Sequence, residues 1–254
     1  MKGLFIGAGL VLSSLVPASD HNNIEAGRPL RFDDAYSIAF RERAFEFGLT
    51  LDTFRRRGPS YGNKTEFKYG FAKNQDISVA IEPTYSSPER RGDLGNVEIG
   101  YFNGLRRQID DAPALAYRVD VGLPTGRDAK GLDLRFRGIA TKALGQYDKV
   151  HLNLDLNMNT SPGPGEHRHT VGAVLGYSTP LGYPRRFDQT LVADFAVQQS
   201  KKQGEGYVGS VGLGLRRQVS PQAVFDIGVT SDLFSAKGAE RRPFRLAIGY
   251  SVSF

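Results

Sequence analysis

The stretch "RPFRLAIGYSVSF", residues 242–254, alternates without a break. Even positions from Phe244 read Phe, Leu, Ile, Tyr, Val, Phe; odd positions read Arg245, Ala247, Gly249, Ser251, Ser253. Successive strand side chains point to opposite faces, so this is a strand with one apolar face and one small or polar face. Wound as a helix, the same residues would scatter around the axis. The rhythm recurs along the chain: twelve alternating segments begin near Phe45, Thr65, Ile77, Val97, Leu115, Leu132, Leu152, Val171, Leu191, Tyr207, Phe225 and Phe244. Turn signals such as "AKNQ" (72–75), "QIDD" (108–111), "GQYD" (145–148) and "VSPQ" (219–222) alternate with longer polar connections at 86–93, 124–130 and 160–168. An even strand count with tight turns at one end predicts an all-β fold, an up-and-down antiparallel barrel of about twelve strands over residues 43–254.

Periodicity alone does not say which solvent lies outside, because a soluble barrel alternates in the same way with its apolar face inward. The position of charge is more informative. On a lipid-facing wall, Lys or Arg costs about 2 to 4 kcal/mol at mid-depth and about 0 to 1 at the interfaces. Glu82, Glu98, Arg118, Asp120, Asp133, Arg135, Arg137, Asp155, Asp194, Asp226 and Arg245 all share the polar parity. Glu46, Asp52, Glu66, Lys68, Arg106, Arg216 and Asp232 do so as well. Charges of apolar parity, namely Arg43, Arg55, Arg107, Lys142 and Arg217, fall at strand ends, where long side chains reach headgroups. Aromatics cluster near both strand ends: Phe45, Tyr69, Phe71, Tyr177, Tyr250 and Phe254 at one, Tyr85, Tyr207 and Phe244 at the other. These positions predict a transmembrane barrel with interfacial girdles and a charged lumen.

No window after the first twenty residues is apolar enough for a membrane-spanning helix. Residues 1–18 read as a secretory signal peptide, with Lys2, an apolar run to Val16 and small residues at the predicted cleavage site. Residues 19–42 precede the first strand as a periplasmic or plug-like segment, in which Arg28, Arg31, Asp33 and Asp34 could meet lumen charges. The chain has no cysteine, so neither a disulfide framework nor a lipid anchor on cysteine is available. Its formal charge of +6 is spread along the chain without a basic run, and export argues against nucleic acid as a partner.

No catalytic, cofactor or metal site is predicted. His167 and His169 form an "HRH" pair in a Pro- and Gly-rich connection with no third ligand nearby. His151 has inward parity, away from the lipid-facing wall that a membrane lipase would use, and Ser161 therefore gains no partner. "VGLPTGRD" lacks the glycine spacing and the lysine of a phosphate loop.

The stretches "RPLRFDDA" (28–35), "FKYGF" (67–71), "GDLGNVEIGYFNGL" (92–105) and "VGLPTGRD" (121–128) resemble the outer-membrane protein family of the MetA pathway of phenol degradation, often called transporters. The resemblance covers about residues 27–160. Where members have Thr or Ser before the acidic pair, this chain has Arg31-Phe32 before Asp33-Asp34, so no role is carried over for that segment. The resemblance implies an outer-membrane location in a Gram-negative-type cell and a link to small, aromatic or hydrophobic compounds. The last strand also resembles that of outer-membrane barrels, which ends in Phe and is read by the assembly machinery; this implies an assembly role for Phe254. The expectation is a passive channel for small solutes, in contact with outer-membrane lipid and the assembly machinery. A closed structural or binding barrel with a salt-bridged lumen is the alternative, and a soluble exported lipid-binding β-protein is a weaker one.

Overall fold

The computed structural model describes residues 23–54, 58–87, 89–127, 129–182, 188–236, 239 and 241–254; the signal segment and Arg55 lie outside them. The strands are β1 (Arg43–Thr53), β2 (Ser60–Ala72), β3 (Gln75–Ile81), β4 (Thr84–Ser86), β5 (Arg91–Asp93), β6 (Val97–Arg106) and β7 (Ala114–Leu123). They continue as β8 (Asp133–Leu144), β9 (Asp148–Asn159), β10 (His169–Pro180), β11 (Gln189–Gln199), β12 (Tyr207–Ser220), β13 (Ala223–Ser235) and β14 (Phe244–Ser253). Leaving aside the short β4 and β5, each strand pairs antiparallel with its neighbours, and β1 bonds both β2 and β14, so twelve strands close into a barrel. The closing ladder runs from Ala44↔Ser253 to Thr53↔Phe244 and uses the whole alternating C-terminal segment.

The short β4 and β5 extend the β3–β6 hairpin above the rim and fall within the region that the sequence suggests is mostly connection. Ile81 pairs with Val97 and Thr84 with Asp93, so the residues between them are irregular. Gly95 sits there at φ 73°, where a Cβ would lie 2.3 Å from the Glu82 carbonyl oxygen. Tight turns at residues 73–74, 145–147 and 221–222 gather at the lower end, with Asn74 at φ 59° and Gly145 at φ 71°. The longest connections, from β3 to β6, β7 to β8 and β9 to β10, lie at the upper end, while the β6–β7 and β10–β11 connections at the lower end are also longer than a tight turn.

The barrel is apolar outside and charged inside. Leu154 (55%) and Leu175 (52%) are exposed, whereas Asp120 (1%), Arg137 (4%) and Asp226 (0%) are buried. A water-soluble barrel would reverse this arrangement. Arg43, Lys142 and Arg217 lie toward the lower strand ends, and Arg107 just past β6. Parity fails at two irregularities. A register shift between Gly104 and Arg106 turns Arg106 to the surface, where it donates to the Pro113 carbonyl at 3.2 Å; its predicted lumen position is corrected accordingly. Another shift, at Gly209/Ser210, accompanies the exposure of both Leu233 and Phe234.

Candidate functional site

Inward parity brings acids and bases of adjacent strands within reach, and in a confined lumen an unpaired charge is expensive, so pairing is the favourable outcome. Arg118 contacts Glu66 and Asp120, each at 2.7 Å. Arg135 meets Asp120 at 2.7 Å and Glu98 at 4.0 Å. Arg137 binds both oxygens of Asp155 at 2.7 Å. Arg216 lies 3.2 Å from Asp226, and Arg245 2.5 Å from Asp52. Asp133 accepts from the amides of Asn96 (3.2 Å) and Asn159 (2.8 Å). Glu82 stands beyond the end of β3, half-exposed, 3.5 Å from Lys64. Lys64 also reaches Glu66 and Glu98, at 3.6 and 3.4 Å. It shares the parity of Glu66 and Lys68 and was findable by extending that segment one residue upstream.

The N-terminal segment occupies the lower half of this lumen. From Arg28 to Ile38 it passes along the inner wall, meeting the strands nearly in their order round the barrel. Arg28 pairs with Glu46 of β1 (2.8 Å) and Asp226 of β13 (3.4 Å). Arg31 binds Asp194 of β11 at 2.6 Å and also contacts Ser210 of β12. Asp33 pairs with Arg137 of β8 at 2.5 Å, and the Asn153 side chain of β9 clamps its backbone, accepting at 2.7 Å and donating at 2.9 Å. The Ala35 N–H donates to the Thr141 hydroxyl and the Ile38 N–H to Asp76 of β3. Residues 23–26 fold back inside this arc: Ile24 and Asp34 exchange hydrogen bonds, and Glu25 contacts Lys68 and Arg28. Wall side chains thus supply the partners that an extended segment without a strand neighbour would otherwise lack.

Apolar packing completes the fit. Phe32 is fully buried in a cluster with Ile24, Leu30, Val174, Val192 and Ala196, its ring 4.9 Å from that of His151. The inward face of β10 is open at Gly176, where a Cβ would lie 2.6 Å from the Phe32 ring. His151 is held between the hydroxyls of Thr141 and Ser178, each at 3.0 Å, with no carboxylate partner there. Burial pushes the Asp34 carboxyl up to about 7, against the Ile24 N–H and the Lys149 ammonium. Burial acts in the same direction on Asp33, but the Arg137 guanidinium, together with Arg118, Arg135 and the Ala26 N–H, outweighs it and holds that carboxyl below its ordinary value.

Space remains above and below the segment. The upper cavity, about 700 Å³, is lined by Glu98, Asp133, Arg135, Arg168 and Lys201 among others. The lower one, about 250 Å³, is lined by Glu42, Glu46, Lys149, Arg216 and the segment itself. The two linings share no residue.

No protein-family model matches the chain, and no curated protein matches it either. Solved structures do. An outer membrane channel from Pseudomonas putida F1 superposes with a TM-score of 0.69 at 13% identity, covering 87% of this chain and 98% of the other. The NanC porin gives 0.58 at 8% identity, covering 84% and 98%, and the KdgM porin 0.56 at 10%, covering 83% and 99%. The chain has the fold of outer-membrane barrels.

Proposed function

We propose that the chain is an outer-membrane channel for small polar solutes, closed in this conformation by its own N-terminal segment. One observation carries the reading: two spaces, of about 700 and 250 Å³, share no lining residue, and the smaller is lined by a segment held in the lumen by ion pairs, hydrogen bonds and an apolar cluster around Phe32. A solute enters the upper cavity down its gradient, the segment shifts, and the solute leaves past Lys149 and Arg216. No bond is made or broken. The lumen groups, among them Glu82, Glu98, Arg118, Asp120, Asp133, Arg135, Arg137, Asp155, Asp194, Asp226 and Arg245, set which charges pass. The proteins with which the fold is shared are named as a channel and porins, which supports this reading.

Residues 1–18 are the export signal in this reading, residues 19–42 the plug and its lead, and Phe254 the residue read during assembly. The resemblance to the MetA-pathway family points toward aromatic compounds, whereas the upper cavity is lined mainly by charged and amide groups. The polar lining takes precedence here. A second reading, a barrel closed for structural reasons, is favoured by the complete burial of Phe32 and the depth of the Arg137 pairs. Planar-bilayer recording with purified, folded protein separates the two. Channel events support transport, and complete absence of conductance and of solute flux supports the closed barrel.

A further inference from the structure

The charges of the upper cavity are unevenly placed: acids predominate toward β3 and β6, with Arg135 among them, and bases toward β10 and β11, with Glu166 beside them. Glu82 and Glu98 flank the junction of β3 and β6, Asp93 lies on β5, and Asp133 begins β8. Arg168 precedes β10 and Lys201 follows β11. Round the barrel the strands run β3, β6, β7, β8, β9, β10, β11, so β3 and β10 stand five places apart in a ring of twelve, as do β6 and β11. Glu82 and Glu98 therefore face the basic pair nearly across a diameter, whereas Asp133, on β8, stands two strands from Arg168. With strands ~4.8 Å apart and tilted ~40°, twelve of them enclose a circle roughly 24 Å across between backbones. Side chains reaching in from both walls reduce this to the scale of a small solute.

The balance of charge on each wall is equally uneven. On the acidic side the Lys64 ammonium is shared among Glu66, Glu82 and Glu98; Arg118 also serves Glu66 and Arg135 stands 4.0 Å from Glu98, which among the described residues leaves Glu82 with a share of Lys64 alone. The Asp93 carboxylate takes its hydrogen bonds from the Gly95 and Arg127 N–H groups, and Asp133 takes its own from neutral amides. On the opposite side Arg168 and Lys201 are exposed and among the described residues neither forms an ion pair; the one acid beside them, Glu166, accepts from the Gly163 N–H, so this wall keeps a net positive charge. A simple anion or cation is attracted by one wall and repelled by the other. A molecule carrying both charges at its two ends is attracted by both.

We propose that the upper cavity binds a zwitterionic solute of the amino-acid type. Its ammonium lies toward Glu82 and Glu98, and its carboxylate toward Arg168 and Lys201. The route onward rests on the channel reading above; the binding does not.

The test uses the full-length folded protein in detergent at low ionic strength. Ligand-observed saturation-transfer NMR measures γ-aminobutyrate, butyrate and butylammonium, which share a four-carbon chain and differ in which charged ends they carry. The zwitterion is expected to bind at least tenfold tighter than either ion. In the double variant Arg168→Glu, Lys201→Glu, the order reverses in favour of butylammonium. Binding of all three alike, binding of none, or an order unchanged by the double variant overturns the proposal. Conductance of the same preparation keeps the two readings apart. Channel events without zwitterion preference overturn the site and leave the channel; zwitterion preference without conductance leaves the site and removes the channel.

Discussion

Replacing Gly176 by Ala tests whether the barrel wall is shaped to receive its N-terminal segment. The new Cβ would lie 2.6 Å from two Phe32 ring atoms and 2.8 Å from a third, and the ring cannot retreat easily because it is fully buried against Ile24, Leu30 and His151. Overpacking of this kind costs about 1 to 3 kcal/mol. Phe32 burial contributes about 1.5 to 3 kcal/mol to docking. The clash is therefore comparable to what this side chain contributes, and the segment should leave the wall while the barrel persists. The chain has no cysteine, so a single Leu30→Cys change gives a clean reporter: Leu30 is 2% exposed when docked. A cost of 1 to 3 kcal/mol corresponds to a rise of roughly 5- to 150-fold in maleimide labelling rate. Adding Phe32→Ala removes the ring, so Gly176→Ala should then have little further effect. Equal labelling rates with and without Gly176→Ala, at unchanged barrel stability, would refute the fitted-wall argument.

Three other perturbations act on different parts of the account. Arg137→Met leaves the buried Asp33 and the partly buried Asp155 carboxylates without their guanidinium and should destabilise docking by about 3 to 5 kcal/mol, read by the same Leu30→Cys labelling; adding Asp33→Asn should recover part of the loss. Leu154→Lys puts an ammonium mid-strand on the exposed wall and should cost about 2 to 4 kcal/mol in vesicle-based unfolding, whereas Phe45→Lys, near a strand end, should cost about 0 to 1; equal costs would contradict the lipid-facing assignment. Asp34 adds a pH dependence. Its carboxyl is raised from 3.8 to about 7 on docking, so its contribution is fully present below pH about 4 and is lost as pH rises through about 7. Asp33 and Glu25, both held below their ordinary values by neighbouring cations, stay charged across that window. Labelling at Leu30→Cys should rise with pH, and Asp34→Asn should flatten the rise.

The wall was legible in the sequence because strand parity is a local rule. Phe244 to Phe254, Leu152 to Met158 and the other alternating runs each carry their own face assignment, and closure follows from an even number of them. Arg106 was misread because a register shift inverts parity without any local marker. The occupant of the lumen was legible only in part. Arg28, Arg31, Asp33 and Asp34 stood out as charges able to meet the lumen, but residues 23–38 carry no period from which to read a path, and their partners lie on strands as distant in sequence as β13. Gly176 was visible as a small inward residue, yet nothing local says that its missing side chain makes room for Phe32. Thr141 and Ser178 had inward parity and drew no notice, since their roles depend on groups contributed by other strands.

In this reading the N-terminal segment is what closes the lumen. Single-channel recording of the intact protein beside a variant lacking residues 23–38, with heat-dependent gel mobility showing both barrels folded, tests it most directly. The intact protein should show rare, small openings, and the shortened one a sustained conductance several-fold larger. Identical conductance in the two would contradict it.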